Sequence, residues 1–266
     1  MPVKMKTPIS YYGGKQKLAV KICSLIPSHH LYCEPFIGGA AIFFAKEISE
    51  VEVLNDTNKE LMNFYRTVQN DFVGLEKEIR ITLHSRDLHR KASVIYNNPD
   101  LFTEIKRAWA VWLLSAQSFC AQIDGSFGYE RKTGKTTGKV INNRDSFTED
   151  FAIRLQNVQL ECADALYVIR SRDSADSFFY CDPPYFNSDC GHYDGYSEQD
   201  FEKLLILLSK IEGKFLLSSY PSEILLKYSK LHNWNVWSVE QNVTVNSKSG
   251  YLKRKTEVLT ANYPIG

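Results

Sequence analysis

The string Asp182-Pro183-Pro184-Tyr185 carries the most specific chemistry in this sequence. Two prolines directly after an apolar run remove backbone donors and stiffen the turn. The Asp182 carboxylate and the Pro183 carbonyl then stand as adjacent acceptors, which match the two hydrogens of an amino group. Tyr185 supplies a flat face for a planar base. The plainer alternative is a structural Pro-Pro turn with an incidental tyrosine.

Three further strings could hold a ligand. Glu34-Pro35-Phe36-Ile37-Gly38-Gly39 places glycines between a strand and a helix, where a ligand can approach backbone. It lacks the G-x-G-x-x-G spacing of a dinucleotide site, and alone it also reads as a plain turn. Asp56 follows the next strand, at the distance from the glycine turn that suits an acid holding a ribose diol. A helix N-cap is the alternative there. Tyr11-Tyr12-Gly13-Gly14-Lys15 looks like half of a phosphate loop, but Ile9 and Gln16 stand where Gly and Ser or Thr are required. Triphosphate binding is therefore rejected, while a Gly-Gly turn bearing an aromatic and a lysine could still close over a carboxylate.

Other residues read as bland. His29 and His30 have no companion at metal spacing and fit a surface loop, so no metal is expected. The six cysteines, Cys23, Cys33, Cys120, Cys162, Cys181 and Cys190, form no C-x-x-C pair and are expected as buried free thiols. Two basic stretches interleave with aromatics, as nucleic-acid surfaces do. One holds Arg131, Lys132, Lys135, Lys139 and Arg144 near Phe127 and Tyr129. The other holds Lys248, Lys253, Arg254 and Lys255 around Tyr251.

Alternating helices and strands must position these motifs. Helical spacing covers residues 16–26, 40–48, 103–119, 198–211 and 221–230. Strand patterns cover 31–33, 51–54, 177–181, 214–220, 236–240 and 256–261, the last two with no obvious helix between them and so expected to pair antiparallel. Thr57 with Glu60 reads as a capping box that starts a helix near residue 58. Between about 60 and 157 the strand signal nearly vanishes, and residues 124–144, rich in Gly, Lys and Thr, read as an exposed loop or hairpin. An α/β chain of this kind implies a largely parallel sheet with ligands at the strands' carboxyl ends. The motifs at 34–39, 55–56 and 182–185 all fall at such ends and are expected to converge on one crevice, with the middle segment inserted as a helical lobe.

Composition bounds the rest. The chain has 266 residues, 44% hydrophobic and 24% charged, with a net charge of +1. That excludes a mainly disordered chain. No apolar run approaches the ~20 residues that span a bilayer, and the start lacks a signal-peptide core, so a cytoplasmic protein without membrane attachment is expected. Near-neutral charge argues mildly against nucleic-acid binding, unless a local basic face is masked by acids elsewhere.

Taken in order, Tyr-Tyr-Gly-Gly-Lys, Glu-Pro-Phe-x-Gly-Gly, Asn-Asp and Asp-Pro-Pro-Tyr resemble the Dam-like (D12 class) adenine-N6-specific DNA methyltransferases of phages and bacteria. Residues 256–263 resemble that family's closing strand. The resemblance implies a Rossmann-like catalytic domain at residues 1–59 and 158–266, and a mostly helical target-recognition domain at 60–157. It implies S-adenosylmethionine as cofactor, held by Tyr11, Lys15, Glu34, Pro35, Phe36, Gly38, Gly39, Asp56, Asp164 and Asp182. Asp182, Pro183, Pro184 and Tyr185 would be catalytic, with Asp182 and the Pro183 carbonyl taking the two N6 hydrogens and Tyr185 stacking on an adenine flipped out of the duplex. Gln122, Tyr129, Arg131, Lys132 and Lys135 would lie on or near the DNA surface. Double-stranded DNA is the implied substrate and a cognate restriction enzyme an implied partner, with the oligomeric state left open. Two tyrosines precede Gly-Gly-Lys here, and either could face the cofactor. The GATC-methylating members carry an Asn-Arg-containing helix end where this chain reads Ala116-Gln117-Ser118-Phe119, so GATC is not assigned as the target. The competing readings are methylation of RNA or of a protein amide, whose enzymes usually carry Asn-Pro-Pro-Tyr, and a catalytically inactive DNA binder.

Overall fold

The computed structural model describes residues 5–187, 196–242 and 254–265. Its strands are β1 (Leu31–Glu34), β2 (Val51–Asn55), β3 (Gln159–Glu161), β4 (Ser177–Cys181), β5 (Lys214–Ser219), β6 (Asn235–Asn242) and β7 (Arg254–Ala261). Its helices are α1 (Ala19–Leu25), α2 (Ala41–Ala45), α3 (Lys59–Asn70), α4 (Phe72–Arg80), α5 (Arg86–Asn97), α6 (Glu104–Gln117), α7 (Lys135–Asp145), α8 (Asp150–Leu155), α9 (Ala165–Arg172), α10 (Glu198–Leu208) and α11 (Glu223–Leu231). The chain falls into two compact units. One gathers residues 1–24, 37–48 and 55–162, and the other residues 25–36, 49–54 and 163–266.

The strands form a seven-stranded sheet in the order β3-β2-β1-β4-β5-β7-β6. Strands β1, β2, β4 and β5 run parallel, and β7 pairs antiparallel with both β5 and β6. Order 3-2-1-4-5 is that of a doubly wound Rossmann-like sheet, with its switch point between β1 and β4. The α/β expectation and the antiparallel closing pair are both met. Strand β4 reads Ser-Phe-Phe-Tyr-Cys and is buried at all five positions, because a central parallel strand is covered on both faces. Phe179 and Cys181 join Phe215 and Leu217 of β5 in a core covered by Phe201, Leu204, Leu205 and Leu208 of α10. His29 and His30 directly precede β1, at the end opposite the strand termini that carry the motifs.

The other unit centres on α6. Residues 108–117 of this helix are all buried, and α3, α4 and α5 pack against it. A helix apolar on every side must be enclosed in this way. Arg107 clamps Glu60 of α3 through Nη2 at 2.6 Å and Nε at 2.8 Å. Trp109 donates to Thr82 at 2.7 Å. Gln117 accepts from the Ser85 amide at 3.1 Å and donates to the Leu83 carbonyl at 2.8 Å, so the residue that departs from the GATC-type pattern ties the end of α6 to the turn before α5.

Three local expectations need correction. The N-cap of α3 is Asn58, whose side chain accepts from the Glu60 and Leu61 amides, and not Thr57. Glu60 cannot close a capping box because Arg107 holds its carboxylate. Residues 135–145 of the expected loop form α7, although its Thr-Thr-Gly start is a poor helix former. Glu130 compensates by binding the Thr133 hydroxyl and the Thr136 amide of the first turn, while Val140 is buried. The hairpin character survives upstream, in a Ser118–Phe127 antiparallel bridge. Of the cysteines, Cys33 and Cys181 are buried free thiols, Cys23 and Cys120 are half-buried, and Cys162 is exposed, because it follows the short edge strand β3. Cys190, Lys248, Tyr251 and Lys253 lie outside the described residues.

Candidate active site

In the sheet unit, Asp182 follows the carboxyl end of β4 and Glu34 ends the neighbouring parallel strand β1. Glu34 is almost fully buried and accepts the Tyr32 hydroxyl. Pro183 is buried, while Asp182, Pro184 and Tyr185 are half-buried. The Tyr185 hydroxyl lies 3.1 Å from Asp182 Oδ1 and is also bonded to Glu257 of β7. The Tyr185 ring meets Tyr220 edge-on at 4.4 Å. Lys255 in turn sits 3.1 Å from the Tyr220 hydroxyl and 4.8 Å from its ring centre. Burial, reinforced by the charges of Asp182 and Glu257, pushes the Tyr185 phenol well above its usual range, so it stays protonated at neutral pH. Tyr180 is shifted the same way and bonds Ser218 at 3.0 Å. Asp164 is exposed and caps α9, accepting the Tyr167 amide at 3.0 Å. The stacking face expected of Tyr185 is thus partly committed to Tyr220, and its hydroxyl to two carboxylates. Glu257 is a site residue that the sequence pattern missed.

In the helical unit, the glycine motif, Asp56 and the N-terminal motif interlock. Gly38 has φ +45°, and a Cβ there would meet Tyr11 Cδ1 at 3.2 Å. A Cβ on Gly39 would come within 2.7 Å of the Tyr11 Cβ, closer than such atoms pack. Glycine is needed because Tyr11 lies directly on this loop. Asp56 pins the loop from below. Its Oδ2 accepts the Gly38 amide at 3.1 Å and its Oδ1 the Asn58 amide at 2.9 Å. Tyr65 donates to the Gly38 carbonyl at 2.8 Å. Burial raises the Asp56 pKa, against the pull of the bonds from Asn58, Gly38 and Thr57. Lys15 is nearly buried and donates to the Gly13 carbonyl at 3.1 Å. The helix-cap alternative for Asp56 is taken by Asn58.

The same unit carries the expected DNA surface. Tyr129 is exposed and stacks near-parallel to Phe127, with ring centres 6.5 Å apart. His84 stacks on Phe127 at 4.8 Å. The Arg86 guanidinium lies 4.9 Å from the Phe127 ring centre and 5.1 Å from that of Tyr129. Arg131, Lys132 and Lys135 are exposed, and Gln122 is half-buried. His84 and Arg86 were not singled out by the sequence reading, since they precede the basic stretch by a whole helical hairpin.

The chain matches the family model of the D12 class N6 adenine-specific DNA methyltransferases over residues 11–248. It belongs to that family. It is 24% identical to the type II methyltransferase M1.LlaDCHI of Lactococcus lactis subsp. cremoris, over 98% of this chain and 96% of the relative. It is 25% identical to the type II methyltransferase M.MjaIII of Methanocaldococcus jannaschii, over 98% and 100%. It is 22% identical to the DNA adenine methylase of Escherichia coli, over 99% and 97%. The chain is therefore an adenine-specific DNA methyltransferase, and methylation of RNA or of a protein amide is not favoured. Methyl transfer in such a family depends on S-adenosylmethionine, and DNA is the substrate. Among the described residues no helix is long and apolar enough to cross a membrane.

Proposed function

We propose that this methyltransferase modifies the N6 amine of an adenine turned out of double-stranded DNA, with Asp182 and the Pro183 carbonyl as the amine acceptors. The observation that carries this reading is the rigid Asp182-Pro183 acceptor pair at the carboxyl end of a fully buried parallel strand beside the switch point. The residues present fit S-adenosylmethionine. A glycine surface facing Tyr11 suits a narrow aliphatic ligand, and the Asp56 carboxylate keeps acceptor capacity beyond its backbone bonds for a ribose hydroxyl. Tyr11, Lys15, Glu34, Pro35, Phe36, Gly38, Gly39, Asp56 and Asp164 are the residues assigned to hold it. When bound, the cofactor supplies an electrophilic methyl on a sulfonium.

The N6 amine is a poor nucleophile because its lone pair is delocalised into the ring. Two acceptors that take its two hydrogens favour a pyramidal nitrogen and free the lone pair. Asp182 and Pro183 do this without moving, so positioning and electrostatics supply the rate. The adenine must leave the base stack at a cost of a few kcal/mol, and stacking against Tyr185 offsets part of it. Gln122, Tyr129, Arg131, Lys132 and Lys135 are assigned to DNA contact. The type II names of two relatives support a cognate restriction enzyme as partner.

Asp182→Ala tests the reading. Transfer of labelled methyl to DNA should vanish while a cofactor titration is little changed. A near wild-type rate overturns the assignment. Single-molecule sequencing of DNA from cells expressing the protein reports both the modified base and its sequence context.

A further inference from the structure

The Tyr185 hydroxyl lies within bonding reach of two carboxylates, Asp182 and Glu257, yet a phenol has one proton to donate. It can serve one carboxylate at a time. Were it to serve Asp182, it would draw electron density from that carboxylate and weaken it as an acceptor for the amine. The direction of β7 decides the contest. Because β7 runs antiparallel to β5, its amino-terminal half lies at the edge where the parallel strands end, and Glu257 is delivered to the Asp182 turn. Glu257 is itself buried, and its backbone pairs with Val239 of β6, one residue beyond the last β5 partner, Val258. The phenol is held protonated by burial, so a proton is always present to be shared.

We propose that Glu257 is a positioning residue for methyl transfer: it accepts the Tyr185 proton and thereby limits that hydroxyl's donation to Asp182, whose carboxylate stays the stronger acceptor for the N6 amine. This inference rests on the reading of Asp182 as the amine acceptor. In this role Glu257 acts through Tyr185. The Tyr220 ring, packed edge-on against Tyr185 and held by Lys255, keeps the phenol aimed at the pair.

The test uses the full chain, tritiated S-adenosylmethionine, and DNA from cells that lack adenine methylation. Glu257→Gln weakens the acceptor for the phenolic proton, so the hydroxyl turns to Asp182. The expected result is a fall in kcat of about tenfold with the KM for cofactor within about twofold. Tyr185→Phe removes the competing hydroxyl and should cost less than Glu257→Gln. Combining the two should recover rate over Glu257→Gln alone, by about threefold or more. A purely structural role gives losses that multiply, and that outcome overturns the proposal. A wild-type kcat in Glu257→Gln also overturns it. If Glu257→Gln does not fold, as judged by thermal melting, Tyr185→Phe decides: a loss of tenfold or more shows that the hydroxyl helps Asp182 and sinks the proposal. Asp182→Ala runs in parallel. Activity in that variant defeats the underlying reading, whereas inactivity there with normal Glu257→Gln defeats this inference alone.

Discussion

The sheet unit and the helical unit handle charged and aromatic side chains in opposite ways. In the sheet unit, Glu34, Asp182, Tyr185 and Glu257 are buried or half-buried, and the Tyr185 hydroxyl lies within reach of two of these carboxylates. In the lobe around α5 and α7, Arg86, Tyr129, Arg131, Lys132 and Lys135 face solvent. Bond-making tolerates little misplacement, and the groups proposed for it sit on or directly after buried strands. DNA contact needs charge that can reach phosphate, and the groups proposed for it are exposed beside stacked aromatics. The formal charge of +1 therefore hides two opposed demands rather than a neutral surface.

The largest test of this contrast is the sheet side. Asp182→Ala should lower kcat by about a thousandfold or more, since it removes half of the amine-accepting pair, with Kd for cofactor nearly unchanged. If DNA affinity collapsed instead, the division between chemistry and recognition would fail.

Next comes Asp56, which belongs to the helical unit yet is buried in function. Asp56→Ala should weaken cofactor binding by about tenfold to a hundredfold by calorimetry, from loss of charged hydrogen bonds. Burial raises the Asp56 pKa, so cofactor affinity should fall with acid starting above the ordinary carboxylate value of about 4. The stability sign is opposite. A raised folded pKa favours the protonated form, so in cofactor-free protein its contribution is present at low pH and is lost as pH rises through the folded pKa. An affinity that stayed flat down to the pKa of a free carboxylate would break the ribose assignment.

Smaller effects follow from the glycine loop. Gly39→Ala forces a Cβ to within 2.7 Å of the Tyr11 Cβ. A destabilisation of about 1–3 kcal/mol is expected in urea unfolding, together with weaker cofactor binding. An unchanged midpoint would mean that Tyr11 can withdraw from the loop freely. Smallest is Arg86→Ala. It should reduce the salt slope of DNA binding by about one unit while kcat at saturating DNA is retained. A lost kcat there would blur the two regions into one.

The motifs were legible because each is a short run of residue types with its own local physics. Prolines after an apolar strand, glycines before a helix, and an acid at a strand end all keep their meaning without a partner. Strands β1, β2 and β4–β7 and helices α1, α2, α3, α6, α10 and α11 followed from local pattern, whereas β3, α4, α5, α8 and α9 were not read, and the antiparallel final pair followed from the absence of a helix between the strands. Where local signals competed, the reading slipped. Asn58 rather than Thr57 caps α3, because Arg107 from a distant helix claims Glu60. Helix α7 forms from a weak sequence because Glu130 ties its first turn.

By itself the sequence determined the order of the motifs, the α/β alternation and the family to which the chain belongs. The tertiary structure decided which partners those motifs meet. Tyr11 meets Gly38 and Gly39 across 27 and 28 residues because the N-terminal segment lies on the glycine loop. Glu257 meets Tyr185 across 72 residues because β7 runs antiparallel. His84 meets Gly128 across 44 residues because α6 folds the chain back. Hydrogen bonding and stacking act over a few ångströms, and no pattern of neighbouring residues encodes which distant strand or helix will bring a group within that reach.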